Sequence, residues 1–237
     1  MKAGAFGYAR AESVAHALDL LARHGEGAKL LAGGQSLLPA LNLRLSVPEV
    51  LIDIGRLDAL RGIAVVDGRL RIGALTTHDE LLTSPLIAAH APLLARAVAH
   101  VAHPAIRTRG TIGGSLANAD PAAELPACVL ALDARIVAVS ARGERTLPAD
   151  GFFTGLFATA LAPDEILAAV EIAMPGPGAC WGFGELARRA GDYAMVGIAA
   201  GGRREGARLA ALRLAFFGVG TRVTPAPLAA AALCGEG

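Results

Sequence analysis

The chain has 237 residues, enough for one large domain or two smaller ones with apolar cores of their own. With 54% hydrophobic and 18% charged residues it is not disordered as a whole, and a net charge of +1 with no block of like charge excludes a nucleic-acid or membrane-surface footprint. Mean hydropathy is +0.49, raised by alanine, but charge-free stretches such as Gly151–Pro163 and Tyr193–Gly202 are too short to span a bilayer.

In chain order, Val14, Ala17, Leu18 and Leu21 give Glu12–His24 a helical apolar face, and Gly25 ends it. Lys29–Ala32 reads as a short strand, Gly33-Gly34 as a sharp turn, Gln35–Leu43 as a helix and Glu49–Ile54 as a strand. This helix–strand–helix–strand unit favours parallel pairing. Ile63–Val66 and Arg69–Ile72 flank Asp67-Gly68, a hairpin signature. Helices are predicted over Thr77–Leu82, Pro92–Ala102 and Ala122–Leu132, with a polar, glycine-rich segment over Thr108–Pro121. Arg135–Val139 and Ile166–Ile172 read as strands. Pro175-Gly176-Pro177-Gly178 is the clearest linker. Beyond it Cys180–Arg188, Met195–Ala200 and Leu209–Phe217 predict an antiparallel sheet, with a turn at Gly201–Gly206, and an alanine-rich tail runs over Pro225–Gly237.

Cys128, Cys180 and Cys234 are scattered and odd in number, so they form neither a disulfide framework nor an iron–sulfur cradle. His100 and His103 have no third ligand at a useful spacing, and no metal site is expected. The N-terminus lacks a signal-peptide pattern, so a cytoplasmic address is the default expectation.

Two segments carry possible binding chemistry. Leu30, Leu31, Ala32, Gly33, Gly34, Gln35, Ser36 and Leu37 run from strand through a double glycine into a helix start. Such a turn lets a ligand touch the backbone and offers amide N–H groups to an anion; the alternative is a plain strand–helix connection. Thr111, Ile112, Gly113, Gly114 and Ser115 repeat the design. Neither matches GxGxxG or Walker A. Two such turns suit a ligand with two phosphates, such as FAD. No His or Cys lies in either turn to tether a flavin covalently. Asp120 and Glu124 read either as an acid pair or as ordinary helix-start acids.

Three segments together resemble the FAD-binding medium subunit of the molybdenum hydroxylases, nearest to the carbon monoxide dehydrogenase type: Lys29–Leu45, His103–Pro126 and Ala187–Ala200. The resemblance implies an α+β fold: a vanillyl-alcohol-oxidase-type FAD-binding domain over 1–175, with α/β subdomains near 1–57 and 58–175, and a shortened C-terminal α+β domain over 178–237. It implies non-covalent FAD, a large molybdopterin subunit, a small subunit with [2Fe–2S] clusters, and a dimer of heterotrimers. Electrons would pass from the clusters through FAD to an external acceptor. No residue of this chain would be catalytic toward substrate. Besides the two turns, the resemblance assigns cofactor contacts to Val101, Asp120, Glu124, Leu167, Glu185, Asp192 and Tyr193. Glu185 stands where relatives carry a lysine, Ser115 where many carry asparagine, and Asn118 where histidine is common. The family's closing helices are missing, which predicts an incompletely covered C-terminal sheet. Two other readings stand beside this one: a free-standing flavin oxidoreductase, and a scaffold protein that kept the fold.

Overall fold

The computed structural model describes residues 2–235; Met1 and the last two residues of the alanine-rich tail lie outside that range. The first sheet contains β1 (Gly7–Arg10), β2 (Ala28–Leu31) and β3 (Val50–Asp53), parallel and in the order β1-β3-β2. Helix α1 (Val14–His24) links β1 to β2. The Ser13 side chain caps it by accepting from His16 N at 3.0 Å, and Gly25 ends it at φ 51°, a conformation cheap for glycine. Leu20 and Leu21 of α1 pack with Ile52 of β3, and the same cluster takes in Leu75, Val137 and Ile166 from the neighbouring sheet. The expected unit is present, with α2 (Leu37–Asn42) after the first glycine turn; β1 is an addition to it.

The second sheet is antiparallel: β4 (Ile63–Val66), β5 (Arg69–Gly73), β6 (Arg135–Ser140), β7 (Gly143–Pro148) and β10 (Ile166–Ala173), in the order β4-β5-β10-β6-β7. The predicted Asp67-Gly68 hairpin joins β4 to β5, with both turn residues at positive φ. A short hairpin, β8 (Phe153–Gly155) and β9 (Ala158–Thr159), precedes β10. Between β5 and β6 the chain forms α3 (His78–Thr83), α4 (Pro85–His90), α5 (Pro92–Val98), α6 (Pro104–Arg107), α7 (Ile112–Asn118) and α8 (Glu124–Ala131). Every residue of α8 is buried, and fully burying each Leu or Val there is worth about 1.5–3 kcal/mol.

The third sheet comprises β11 (Ala179–Ala187), β12 (Ala194–Glu205), β13 (Arg208–Phe217) and β14 (Thr224–Pro225), antiparallel in that order. Helix α9 (Pro227–Gly235) packs along β13 and buries Ala230, so this face has more cover than the sequence promised. The fold class is α+β, as expected.

Three sequence expectations need correction. The glycine-rich segment 108–121 is helical over Ile112–Asn118, because the Thr111 side chain caps it and Ile112 and Leu116 bury one face. The helix expected to run to Ala102 stops at Val98 and is followed by a turn with Ala102 at φ 41°. Gly201 and Gly202 are not a turn. They lie inside β12, where the carbonyls of Ala131 and Ala211 occupy the space a Cβ would need, and the strand reverses only at Gly206.

Candidate functional site

The two glycine turns meet. A Cβ on Gly33 would land on the carbonyl oxygen of Arg109, and one on Gly114 would reach Ala32 Cβ at 4.0 Å. Gly34 sits at φ 75°, where a side chain is strained. Gln35 Nε2 folds back to donate to Gly33 O at 2.9 Å. Leu30 and Leu31 lead into this turn from β2, and Ser36 and Leu37 open α2, without a side-chain cap. Among the described residues, the backbone amides of Gly34, Gln35, Ser36 and Leu37 donate to no protein group.

The second turn is different. Ile112 N donates to Thr76 O at 3.0 Å, Gly113 N to Ala74 O at 2.8 Å, and Gly114 N to the Thr111 hydroxyl at 3.1 Å. Its amides are already engaged. Gly113 is required for packing, since a Cβ would meet Ala74 Cβ at 2.5 Å. The second turn therefore offers a ligand the Ser115 side chain, while the first offers backbone donors.

Beneath the second turn lies His78, 6% exposed, and among the described residues neither ring nitrogen has a hydrogen-bond partner. Burial pulls its pKa down to about 4, and the nearby Arg107 guanidinium adds to this. Arg107 Nη1 donates to the carbonyls of Val101 (2.9 Å) and Ala102 (3.2 Å), holding the turn after α5. That turn abuts Gly191, where a Cβ would meet Ala102 O at 2.7 Å. Asp192 and Tyr193 follow. Asp192 accepts from Tyr193 N at 3.0 Å and pairs with Arg189 at 3.3 Å. The Tyr193 ring is exposed, yet its pKa is raised by partial burial and by the charges of Asp120, Glu124 and Asp192.

Asp120 accepts from Ala122 N at 2.9 Å and shapes the entry to α8. Glu124 opens that helix, 9% exposed; burial raises its pKa to about 7, and Glu185 and Asp120 push the same way. The Glu185 side chain is 3% exposed on the inner face of β11. Leu167 is buried in the core at a β-bulge of β10 rather than open to the cleft. A continuous belt therefore runs from the first turn, through the second and the Val101–His103 turn, to the acidic group of Asp120, Glu124, Glu185 and Asp192. Sequence reading missed His78 as a member, and its neighbours in sequence give no signal for it. Among the described residues no group of three His, Cys, Asp or Glu is placed to hold a metal. A depression of about 430 Å³ by Ser140, Arg142 and Arg145 lies off the belt, and its arginines already pair with Asp164 and Glu165.

Residues 4–175 match the family described as the FAD binding domain in molybdopterin dehydrogenase. The chain belongs to this family. As a member of this flavoprotein family it is 48% identical over 199 residues to the 6-hydroxypseudooxynicotine dehydrogenase complex subunit alpha of Paenarthrobacter nicotinovorans, covering 84% of this chain and 67% of that protein. It is 41% identical over 223 residues to the carbon monoxide dehydrogenase medium chain of Hydrogenophaga pseudoflava, covering 94% and 76%. A solved structure of carbon monoxide dehydrogenase from Hydrogenophaga pseudoflava, lacking the Mo-pyranopterin moiety of its cofactor, superposes with a TM-score of 0.97 at 41% identity, covering all of this chain and 82% of that one. This family of FAD-binding molybdenum hydroxylase subunits is an oxidoreductase family, as the three sequence segments implied. The free amides of the first turn and the Cβ-free contact between the turns fit an anionic, phosphate-bearing cofactor. No helix among the described residues is long and apolar enough to cross a membrane.

Proposed function

We propose that the chain is the electron-transfer subunit of a molybdenum hydroxylase complex. It takes electrons from the [2Fe–2S] clusters of a small partner subunit and passes them through non-covalent FAD to an external acceptor, while a large molybdopterin subunit oxidises the substrate. The observation that carries this reading is the full-length superposition on carbon monoxide dehydrogenase, with every part of the chain covered. When bound, the flavin supplies the redox chemistry, exchanging single electrons on one side and pairs on the other.

This chain's own residues do the holding. The amides of Gly34–Leu37 have no protein acceptor among the described residues, in a turn that Gly34 keeps at positive φ, and they would receive a phosphate. Gly33 lets the Arg109 carbonyl lock the two turns together, so this wall is formed in advance. Ser115, Val101, Asp120, Glu124, Glu185, Asp192 and Tyr193 are assigned to the rest of the cofactor surface on the same reading, while Leu167 stays in the core beneath it. On the proposed division at 1–175 and 178–237, Asp120 and Glu124 belong to the first domain and Glu185 and Asp192 to the second.

The test loads the purified chain with FAD and mixes it with a small [2Fe–2S] subunit that has been photoreduced with deazaflavin. The flavin band should bleach at a rate that rises with partner concentration, and the two chains should co-elute. Failure to retain FAD, or no bleaching by the reduced partner, would overturn the proposal.

A further inference from the structure

The chain after α5 bends at a residue poorly suited to the bend. Ala102 stands at φ 41°, in the left-handed region that glycine adopts freely and alanine does not. Ala119 shares that conformation as the C-cap of α7, a place where helices commonly end so. Ala102 caps no helix: α5 closes at Ala99, and α6 is preceded by His103. A strained residue of this kind persists only where its surroundings hold it, and such residues gather where function needs them.

The holding group is Arg107. Its Nη1 donates to both carbonyls of the bend, Val101 O at 2.9 Å and Ala102 O at 3.2 Å. Its Nε is buried and, among the described residues, has no partner. Drawing a guanidinium this far from water is costly, and the two carbonyls are what it gains. The nearby His78 imidazole is kept neutral, chiefly by its burial, so the guanidinium meets no second positive charge there.

The Ala102 carbonyl is also the seat of a loop from the third sheet. A Cβ on Gly191 would come within 2.7 Å of Ala102 O and 3.0 Å of His103 Cε1, and Gly191 itself stands at φ 75°. Asp192 and the exposed Tyr193 follow directly. One carbonyl therefore meets both the guanidinium and the loop.

We propose that Arg107 is a positioning residue for FAD retention: by holding the strained bend at Ala102 it seats the Gly191–Tyr193 loop. This rests on the FAD reading above, which assigns Val101, Asp192 and Tyr193 to the cofactor surface. Arg107 acts through the backbone of the bend. Without its guanidinium the alanine is free to leave the left-handed region, its carbonyl turns away from Gly191, and the loop loses its seat.

The experiment follows FAD release from the loaded full chain, read as the rise of free-flavin fluorescence after dilution. Arg107→Met should speed release by about tenfold, the factor that corresponds to the cost of alanine in a left-handed bend. Adding Ala102→Gly to Arg107→Met should recover most of that loss, because glycine holds the bend without help. A loss caused by missing packing alone would not be recovered, so an unrescued double variant, or an Arg107→Met that releases FAD at the native rate, would overturn the proposal. Gly191→Ala probes the same contact with Arg107 intact and carries the test where Arg107→Met fails to fold. It should also speed release, and an unchanged rate would overturn the role of the loop. Without cofactor, ¹⁵N-glycine NMR should show the Gly191 amide shifted in Arg107→Met and returned toward its native position in the double variant. Gly206, in the turn between β12 and β13, is the control and should stay in place. A native chain that retains no FAD would overturn the cofactor reading, while the Gly191 resonance would still decide whether Arg107 positions the loop.

Discussion

The pH dependence of stability should contain two large opposing terms that nearly cancel, and single substitutions should unmask them. His78 titrates near 6.5 when unfolded and at about 4 in the fold. The unfolded chain therefore binds the extra proton, and stability is lost as pH falls from about 6.5 toward about 4. Glu124 titrates near 4.5 when unfolded and at about 7 in the fold. Here the folded chain holds the extra proton, so stability is full below about 4.5 and is lost as pH rises through about 7. At about 1.4 kcal/mol per pH decade, each contributes roughly 3 kcal/mol, with opposite sign, over nearly the same window. Glu185 shifts in the direction of Glu124 and adds to that slope. Urea unfolding midpoints of the chain without cofactor, taken from about pH 4.5 to pH 7, should vary less for the unmodified protein than for a variant that lacks His78, with a net fall as pH rises that reflects Glu185. His78→Leu should lose roughly 3 kcal/mol as pH rises over that window, and Glu124→Gln should gain about as much. The carboxylates of Asp164 and Glu165 are held low chiefly by hydrogen bonds from Arg142 and Arg145, so their losses fall below this window in all three proteins. Three parallel profiles would refute the reasoning, because neither buried group would then be titrating as its surroundings require.

The remaining predictions concern the glycine contact and Glu185. Gly33→Ala should destabilise by about 2–3 kcal/mol and release flavin, since its Cβ collides with backbone that cannot rotate away. Gly114→Ala should cost about 1 kcal/mol or less, because the one tight contact of its Cβ is the Thr111 hydroxyl at 2.8 Å, Ala32 Cβ lies at an ordinary 4.0 Å, and alanine favours the helix. Thermal melts and flavin absorbance check both, and a reversed order would disprove the assigned contacts. Glu185→Lys should raise the flavin midpoint potential, by the equivalent of about 1 kcal/mol per unit charge. The rise should be larger at alkaline pH, where the native carboxyl is ionised, and spectroelectrochemistry at two pH values would detect a flat response if Glu185 were remote from the flavin.

Local chemistry was legible in the sequence and distant pairing was not. The Asp67-Gly68 hairpin follows from residues that tolerate positive φ between two apolar runs, and it forms where expected. By contrast Gly7–Arg10 becomes a strand through its pairing with Val50–Asp53, a partner that no nearby residue announces. Glycine misled twice. In Ile112–Asn118 low helix propensity is outweighed by the Thr111 cap and buried Ile112 and Leu116. In β12 the double glycine marks close backbone approach and not reversal. Of the site, the two turns were visible as motifs, but not that one keeps its amides free while the other spends them. The burial of Glu124 depends on α8 packing against the third sheet, and so had no sequence signature.

The position of His100 is itself set by neighbours on the same face of that sheet. Gly197 in β12 lacks the Cβ that would fall inside the Phe217 ring, so Phe217 can lie over the strand, fully buried. Phe217 stacks on Phe183 at 5.7 Å and 24°, and Phe183 in turn supports the His100 ring. Glu185 is the register partner of Gly197, so the same small residue seats both the carboxylate strand and the aromatic series that holds the imidazole beside it. The third sheet therefore does more than cover the helices. It fixes, through one glycine and two phenylalanines, how a half-exposed histidine meets a buried acid.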